Sequence, residues 1–151
     1  MNHDSYSDGY IAGVLGSARV FAVVGASANP DRPSYGVMEF LMARGYVVIP
    51  INPGQAGGEI LGQKVYATLA DVPGQVDVID VFRNSEAALD VVREAVRLKD
   101  KLGIKTIWMQ LGVRNHTAAV EAEAAGLEVV MNQCPKIEIG RLGLQNASGR
   151  R

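Results

Sequence analysis

With a single cysteine, Cys134, in 151 residues, the chain can close no internal disulfide, which fits a reducing compartment. It has only two histidines, His3 and His116, far apart in sequence. No Cys, His or carboxylate spacing suggests a metal site. Excess charge is also missing. The net charge of −1 creates no global field to recruit nucleic acid or an anionic membrane, although a local group of arginines could still hold a small anion. No apolar run reaches membrane length, and residues 1–7 are polar, with Asp4 and no basic n-region. Cytoplasm is therefore the expected location. What is present is an ordinary globular composition, 48% apolar and 21% charged. The length suits one domain with a full core on both sides of a small sheet.

Five short apolar, β-branched runs punctuate the chain, at residues 20–24, 47–51, 76–82, 106–109 and 127–131. Between them lie helical patterns. Residues 34–44 place Val37, Phe40 and Leu41 on one face and stop at Gly45; residues 85–102 carry Val91, Ala95, Leu98 and Leu102 and stop at Gly103. Residues 115–125 are Ala-rich and stop at Gly126, and residues 8–18 predict a short leading helix. Alternating strands and helices mean βαβ crossovers, so the expected fold is a Rossmann-like three-layer α/β/α domain with a parallel sheet of five or six strands. The segment 53–73 holds four glycines, so it predicts a loop with a short strand at 63–66 and a short helix at 68–72. Residues 1–7 and 143–151 are expected to be flexible ends of the single domain spanning 1–151.

In open parallel sheets, ligands bind beyond the carboxyl ends of the strands, where the strand order reverses. Those ends carry Gly25-Ala26-Ser27, Asn52-Pro53-Gly54, Arg83-Asn84-Ser85, Gln110-Leu111-Gly112 and Asn132-Gln133-Cys134. A dinucleotide fingerprint would need Gly-x-Gly-x-x-Gly and an acid closing the second strand. Only Gly25 survives: Ser27 and Pro30 occupy the other two glycine positions, and Asn52 stands where the acid would be. NAD and NADP are disfavoured on both counts, and a P-loop is excluded because no Gly-Lys-Ser/Thr follows the first strand. A phosphate loop of another kind remains. In it Gly25 turns the chain, Ser27 offers a hydroxyl, Ser34 caps the helix, Tyr35 and Gly36 expose N–H groups, and Arg32 adds positive charge. The competing reading makes Asn29-Pro30-Asp31 and Pro33-Ser34 a rigid turn and an N-cap.

Taken together, these residues resemble the CoA-binding proteins of the YccU-like family, which are similar to the N-terminal domain of the succinyl-CoA synthetase α subunit. The resemblance rests on Val24-Gly25-Ala26-Ser27, Asn29-Pro30-Asp31-Arg32-Pro33-Ser34-Tyr35, Gly45-Tyr46, Pro50-Ile51-Asn52-Pro53, Val81-Phe82-Arg83, Trp108-Met109-Gln110-Leu111-Gly112 and Cys134. These run in family order over residues 10–142. The resemblance implies coenzyme A or an acyl-CoA as ligand, with its diphosphate at the first loop and its adenosine toward the second. It implies contacts from Gly25, Ala26, Ser27, Arg32, Pro33, Ser34 and Tyr35, then Asn52 and Pro53, then Val81, Phe82 and Arg83, then Gln110, Leu111 and Gly112. The synthetase-like proteins carry Thr-Pro-Gly-Lys after the second strand, whereas this chain reads Asn52-Pro53-Gly54-Gln55. The lysine that can meet the 3′-phosphate is missing, and Lys64 or Arg32 could replace it. The synthetase's second domain and phosphorylated histidine have no counterpart, so ligase activity does not carry over.

Asp80 falls inside an apolar strand, where a charge needs a partner; Arg83 or a loop donor could supply one. Trp108 reads as core and His116 as solvent-facing. Cys134, near the same sheet edge, is a redox candidate for a reversible mixed disulfide with CoA, against the plainer reading of a buried thiol. Intact mass after incubation with CoA disulfide tests it: the idea is lost if no reducible adduct forms. No nucleophile–base pair or hydride-cofactor fingerprint supports catalysis. The expected role is that of a sensor, carrier or regulator. The alternatives are an acyl-CoA-dependent transferase or ligase component needing a partner subunit, and a nucleotide-sugar or NAD(P) module.

Overall fold

The computed structural model describes residues 1–144. In chain order the elements are α1 (Asp8–Ser17), β1 (Val20–Val24), α2 (Pro33–Ala43), β2 (Val47–Ile51), β3 (Glu59–Ile60), β4 (Gln63–Lys64), β5 (Val78–Val81), α3 (Ala88–Leu102), β6 (Thr106–Met109), α4 (His116–Ala124), β7 (Glu128–Val130) and α5 (Pro135–Leu142). Five strands form one parallel sheet in the order β2-β1-β5-β6-β7. β3 and β4 make a separate antiparallel pair.

Side chains alternate across a strand, so each strand feeds two cores. Ala22, Val24, Ile79, Val81, Ile107 and Met109 face one side and meet α3 and α4 through Val92, Ala95, Ala118 and Ala122. Phe21, Val23, Val78 and Trp108 face the other and meet α1, α2 and α5 through Leu15, Val37, Leu41 and Ile139. This gives three layers, with strands apolar on both faces, as the uninterrupted Val/Ile runs require. Trp108 is fully buried, and its indole N–H donates to the Gln133 carbonyl at 2.9 Å. The sheet has five strands, the lower of the two expected counts. Among the described residues, no helix is long and apolar enough to cross a membrane.

Some elements differ from expectation for local reasons. β5 starts at Val78, two residues late, because the buried Asp77 carboxylate accepts from the Arg19 and Val20 N–H groups at 2.8 and 2.9 Å. α3 starts at Ala88, three residues late, after Asn84 Oδ1 has taken the Ala87 N–H at 2.7 Å. The 53–73 segment holds β3 as well as β4. Its short helix is a 3-10 turn at Leu69–Asp71, closed by a reciprocal Thr68–Asp71 capping box. α5 was not foreseen.

The first seven residues do not hang loose. His3 is buried, with Nδ1 2.7 Å from the Tyr6 hydroxyl and Nε2 3.2 Å from Glu123. β7 is an edge strand, and hydroxyl groups occupy its open ladder. The Tyr10 hydroxyl donates to the Val129 carbonyl at 2.8 Å and accepts from its N–H at 3.1 Å; the Tyr6 hydroxyl accepts from the Met131 N–H at 2.8 Å. Burial pushes the Tyr10 hydroxyl up to about 12. At the other end, the Leu144 carbonyl accepts from Arg44 at 2.8 Å; the rest of the tail expected to be flexible, 145–151, lies outside the described residues.

Candidate functional site

The chain runs from β1 outward to β2, then returns across β1 to β5, so strand order reverses between β1 and β5. Loops leaving those strands part there and leave a crevice. It has two lobes that share Gly25, Asn52 and Arg83. The first, about 650 Å³, is walled by Pro53, Gly54, Ala67, Thr68 and the α3 face carrying Asp90, Glu94 and Arg97. The second, about 380 Å³, lies between the β1–α2 loop and the end of β6. Ser27, Arg32 and Ser34 form one wall; Phe82, Gln110 and Leu111 form the other. Both volumes suit small-molecule sites.

Gly25 sits at φ +93°, and a Cβ on it would lie 2.5 Å from the Phe82 carbonyl oxygen. Only glycine lets β1 turn this close to the end of β5. The turn is fastened from the other side, because the Gly25 and Ala26 N–H groups both donate to the Ile51 carbonyl, at 3.1 and 3.3 Å. Asn52 adds a second tie. Its side-chain N–H donates to the Ala26 carbonyl at 2.7 Å, and its Oδ1 accepts from the Gly54 N–H at 2.8 Å. Both ends of the amide are thus engaged in shaping the loops.

The β1–α2 loop is likewise internally bonded, which corrects the expected roles of its amides. α2 starts at Pro33 with Arg32 at the N-cap and no side-chain cap. Ser34 therefore lies inside the helix, and its Oγ accepts from the Ser27 N–H at 3.1 Å instead of capping. The Tyr35 N–H donates to the Arg32 carbonyl at 3.1 Å. Asn29 Oδ1 accepts from the Asp31 N–H at 2.9 Å, the rigid turn that the competing reading described. The Ser27 hydroxyl oxygen accepts from the Asn29 N–H at 3.1 Å, which leaves its own hydrogen to donate. What faces outward is an uncapped helix N-terminus and three exposed arginines, Arg32, Arg83 and Arg97. Among the described residues, none of the three is in an ion pair. That arrangement attracts anions.

Of the residues expected at the site, Gly25, Ala26, Ser27, Arg32, Pro33, Ser34, Asn52, Pro53, Phe82, Arg83, Gln110 and Leu111 line the crevice. Three do not. Val81 is fully buried in the α3-side core, and Tyr35 packs at the edge of the opposite core. Gly112 is turned to the neighbouring loops: its N–H donates to Asn132 Oδ1 at 2.7 Å, and its carbonyl accepts from Ser85 at 3.3 Å. Cys134 is buried at the head of α5 and lines neither lobe. The α3 wall was missed. Its sequence signal is a polar trio at spacings of four and three, one position beside the apolar stripe of that helix.

Asp80 has no exposed surface, and among the described residues both its carboxylate oxygens lack a partner. Arg83 does not supply one, since it is exposed and lines the crevice. Burial holds the Asp80 carboxyl well above the usual carboxylate range. Just after β6, Gln110 is 5% exposed, and among the described residues its buried Oε1 has no partner. Among the described residues, no group of three His, Cys, Asp or Glu side chains could hold a metal.

Residues 19–140 match the family model described as CoA binding domain. The chain is 33% identical over 124 residues to the uncharacterized protein YneT of Bacillus subtilis, covering 82% of this chain and 87% of that one. The crystal structure of Prb, a protein redesigned for binding, superposes with a TM-score of 0.86 at 34% identity, covering 99% of this chain and 98% of that one. The dinucleotide-forming acetyl-coenzyme A synthetase 1 of Candidatus Korarchaeum cryptofilum, in complex with phosphate and ADP, matches with a TM-score of 0.63 at 27% identity. That match spans 78% of this chain but only 26% of the larger protein.

Proposed function

The chain belongs to the CoA binding domain family, and from that premise we propose that it binds coenzyme A or an acyl-CoA in the two-lobed crevice, serving as a sensor, carrier or regulator. One observation carries the reading. An elongated crevice crosses the strand ends at the reversal point, with a positive waist at Arg83 and Gly25 shared by both lobes. A ligand with a diphosphate at its middle and a bulky group at each end suits that shape. The adenosine then occupies the first lobe, where Asp90 and Glu94 can accept from its amino and hydroxyl groups. Arg97, in the same lobe, is the natural partner for the 3′-phosphate. The expected alternatives are less well placed. Lys64 lines neither lobe and rests its ammonium 5.1 Å from the centre of the Tyr66 ring, while Arg32 stands in the second lobe.

NAD is a poorer fit. The residue closing β2 is Asn52, whose amide is tied to both loops, so no carboxylate stands there to accept from two ribose hydroxyls. Titration calorimetry with CoA, acetyl-CoA, NAD and ATP tests the assignment. Saturable binding of CoA or acetyl-CoA, with NAD and ATP much weaker, is expected. A silent CoA titration, or NAD binding as tightly as CoA, would overturn it. The match to one quarter of an acetyl-coenzyme A synthetase favours a second reading, in which the chain hands CoA to a catalytic partner. Turnover of an acyl-CoA only on addition of that partner would support it.

A further inference from the structure

We propose that Gln110 distinguishes coenzyme A from a bare nucleotide: its buried carbonyl oxygen accepts a hydrogen bond from an amide N–H of the pantetheine arm lying in the second lobe. This rests on the reading of the crevice as a CoA site and adds which side chain meets the pantetheine arm.

Gln110 follows β6, lines the second lobe, and keeps only 5% of its surface exposed. Among the described residues its Oε1 has no partner, nor does either oxygen of Asp80. Asp80 pairs with Trp108 across β5 and β6, and Gln110, two residues beyond Trp108, lies on the same side of the sheet. Gln110 Oε1 is thus a buried acceptor with no donor among the described residues, on a side chain that lines this lobe. Buried acceptors are nearly always paired, so such a group calls for a donor that arrives from outside. Asp80 has no surface through which a ligand could reach it. Gln110 forms part of the wall.

The missing group must be a donor, which rules out the diphosphate, since its oxygens accept. Beyond its diphosphate CoA carries two secondary amides on an aliphatic chain. The rest of the wall matches that chain: Phe82, Leu111 and Val113 are apolar, and the charged residues of this lobe, Arg32 and Arg83, stand at its phosphate end. The first lobe, with its acids and Arg97, has the opposite character and takes the nucleotide.

Calorimetry of wild type and Gln110→Met with two probes, CoA and adenosine 3′,5′-bisphosphate, tests this. The bisphosphate keeps the nucleotide and lacks the arm. Methionine keeps the volume of glutamine and removes the acceptor. CoA binding should weaken about fivefold, the loss of one buried hydrogen bond, while the bisphosphate is unaffected. Equal losses for both ligands would place Gln110 at the nucleotide end and overturn the proposal. An unchanged CoA affinity would assign the oxygen to water and overturn it too. A measurement on wild type removes dependence on the variant: the Gln110 side-chain amide resonances should shift with CoA and not with the bisphosphate, and the reverse pattern refutes the assignment. If wild type binds no CoA, the site reading itself has failed, and that is known before the variant is made.

Discussion

Replacing Gly25 by alanine tests the turn on which the crevice depends, and the structure sets the size of the effect. The backbone there has φ +93°, a conformation that costs an L-residue about 1–2 kcal/mol. The new methyl would lie 2.5 Å from the Phe82 oxygen and 3.0 Å from its carbonyl carbon. Both atoms belong to the main chain directly after the central strand, so no rotamer change relieves the contact, and overpacking of this kind costs about 1–3 kcal/mol. Together the penalty is about 2–5 kcal/mol. For a chain of this length each kcal/mol lowers Tm by about 2–4 °C, so a fall of at least about 4 °C is expected. Urea unfolding should show a lower midpoint at unchanged m. Gly13 is the control: in the interior of α1 its added Cβ would meet nothing within 4 Å, and Gly13→Ala should stabilise by up to about 1 kcal/mol. Arg83 Cδ, 3.2 Å from the same methyl position, would be displaced from the crevice waist, so any folded Gly25→Ala protein should also bind CoA more weakly. A Gly25→Ala protein within about 0.5 kcal/mol of wild type, the range of an ordinary surface substitution, would refute the account of the turn.

Asp80 makes a pH prediction whose sign follows from the upward direction of its shift. Burial raises its folded pKa above the unfolded value of 3.8, so between those two values the folded protein holds a proton that the unfolded chain has released. Its contribution to stability is complete below the unfolded value and declines as pH rises toward the folded one, by up to about 1.4 kcal/mol per pH unit. Asp80→Asn should remove that slope in urea titrations across pH and raise stability at neutral pH; an unchanged slope would show that Asp80 has found a partner. Ser27→Asp brings a carboxylate to the loop proposed to face the diphosphate and should weaken CoA at least about fivefold, from about 1–4 kcal/mol of repulsion; equal affinity by calorimetry would take Ser27 out of the site. Arg97→Ala should weaken CoA about fivefold, the worth of a partly exposed charge pair, while 3′-dephospho-CoA is indifferent; equal losses would place Arg97 away from the 3′-phosphate.

The parts of the fold legible in the sequence are those governed by local rules. β1, β2 and β6 fall on the expected residues because each is an apolar β-branched run bounded by turn formers, a pattern only a strand covered on both faces needs. The helix ends at Gly103 and Gly126 were legible because a residue with positive φ must follow each helix, and glycine adopts it freely. α5 escaped notice although Pro135 at its start and Gly143 after its end mark it. Lys136, Glu138, Gly140 and Arg141 dilute its apolar stripe, and only packing against α1 and α2 reveals that Ile139 is core. The first seven residues escaped for a different reason. Tyr6 anchors them to the Met131 N–H, 125 positions away, and no local pattern records a bond to a distant sheet edge.

The site divides along the same line. Position was legible, because the reversal-point rule ties strand ends to ligands whatever their side chains, and twelve of the fifteen expected residues do line the crevice. The use of each polar group was not legible, because it depends on how the sheet pairs. The Gly25 and Ala26 amides look free in sequence, yet they are taken by the Ile51 carbonyl as soon as β2 lies beside β1. This changes the expected chemistry of the grip. Loop amides already bonded to a neighbouring strand cannot also cradle a phosphate, so attraction for the anion falls to the uncapped start of α2 and to Arg32, Arg83 and Arg97. Amides held in a fixed nest would discriminate one phosphate geometry from another, whereas mobile guanidinium groups on an exposed rim attract charge and adapt to shape. In the proposed reading specificity comes from elsewhere in the crevice, and the buried acceptor of Gln110 is a polar group on its wall that has no partner among the described residues.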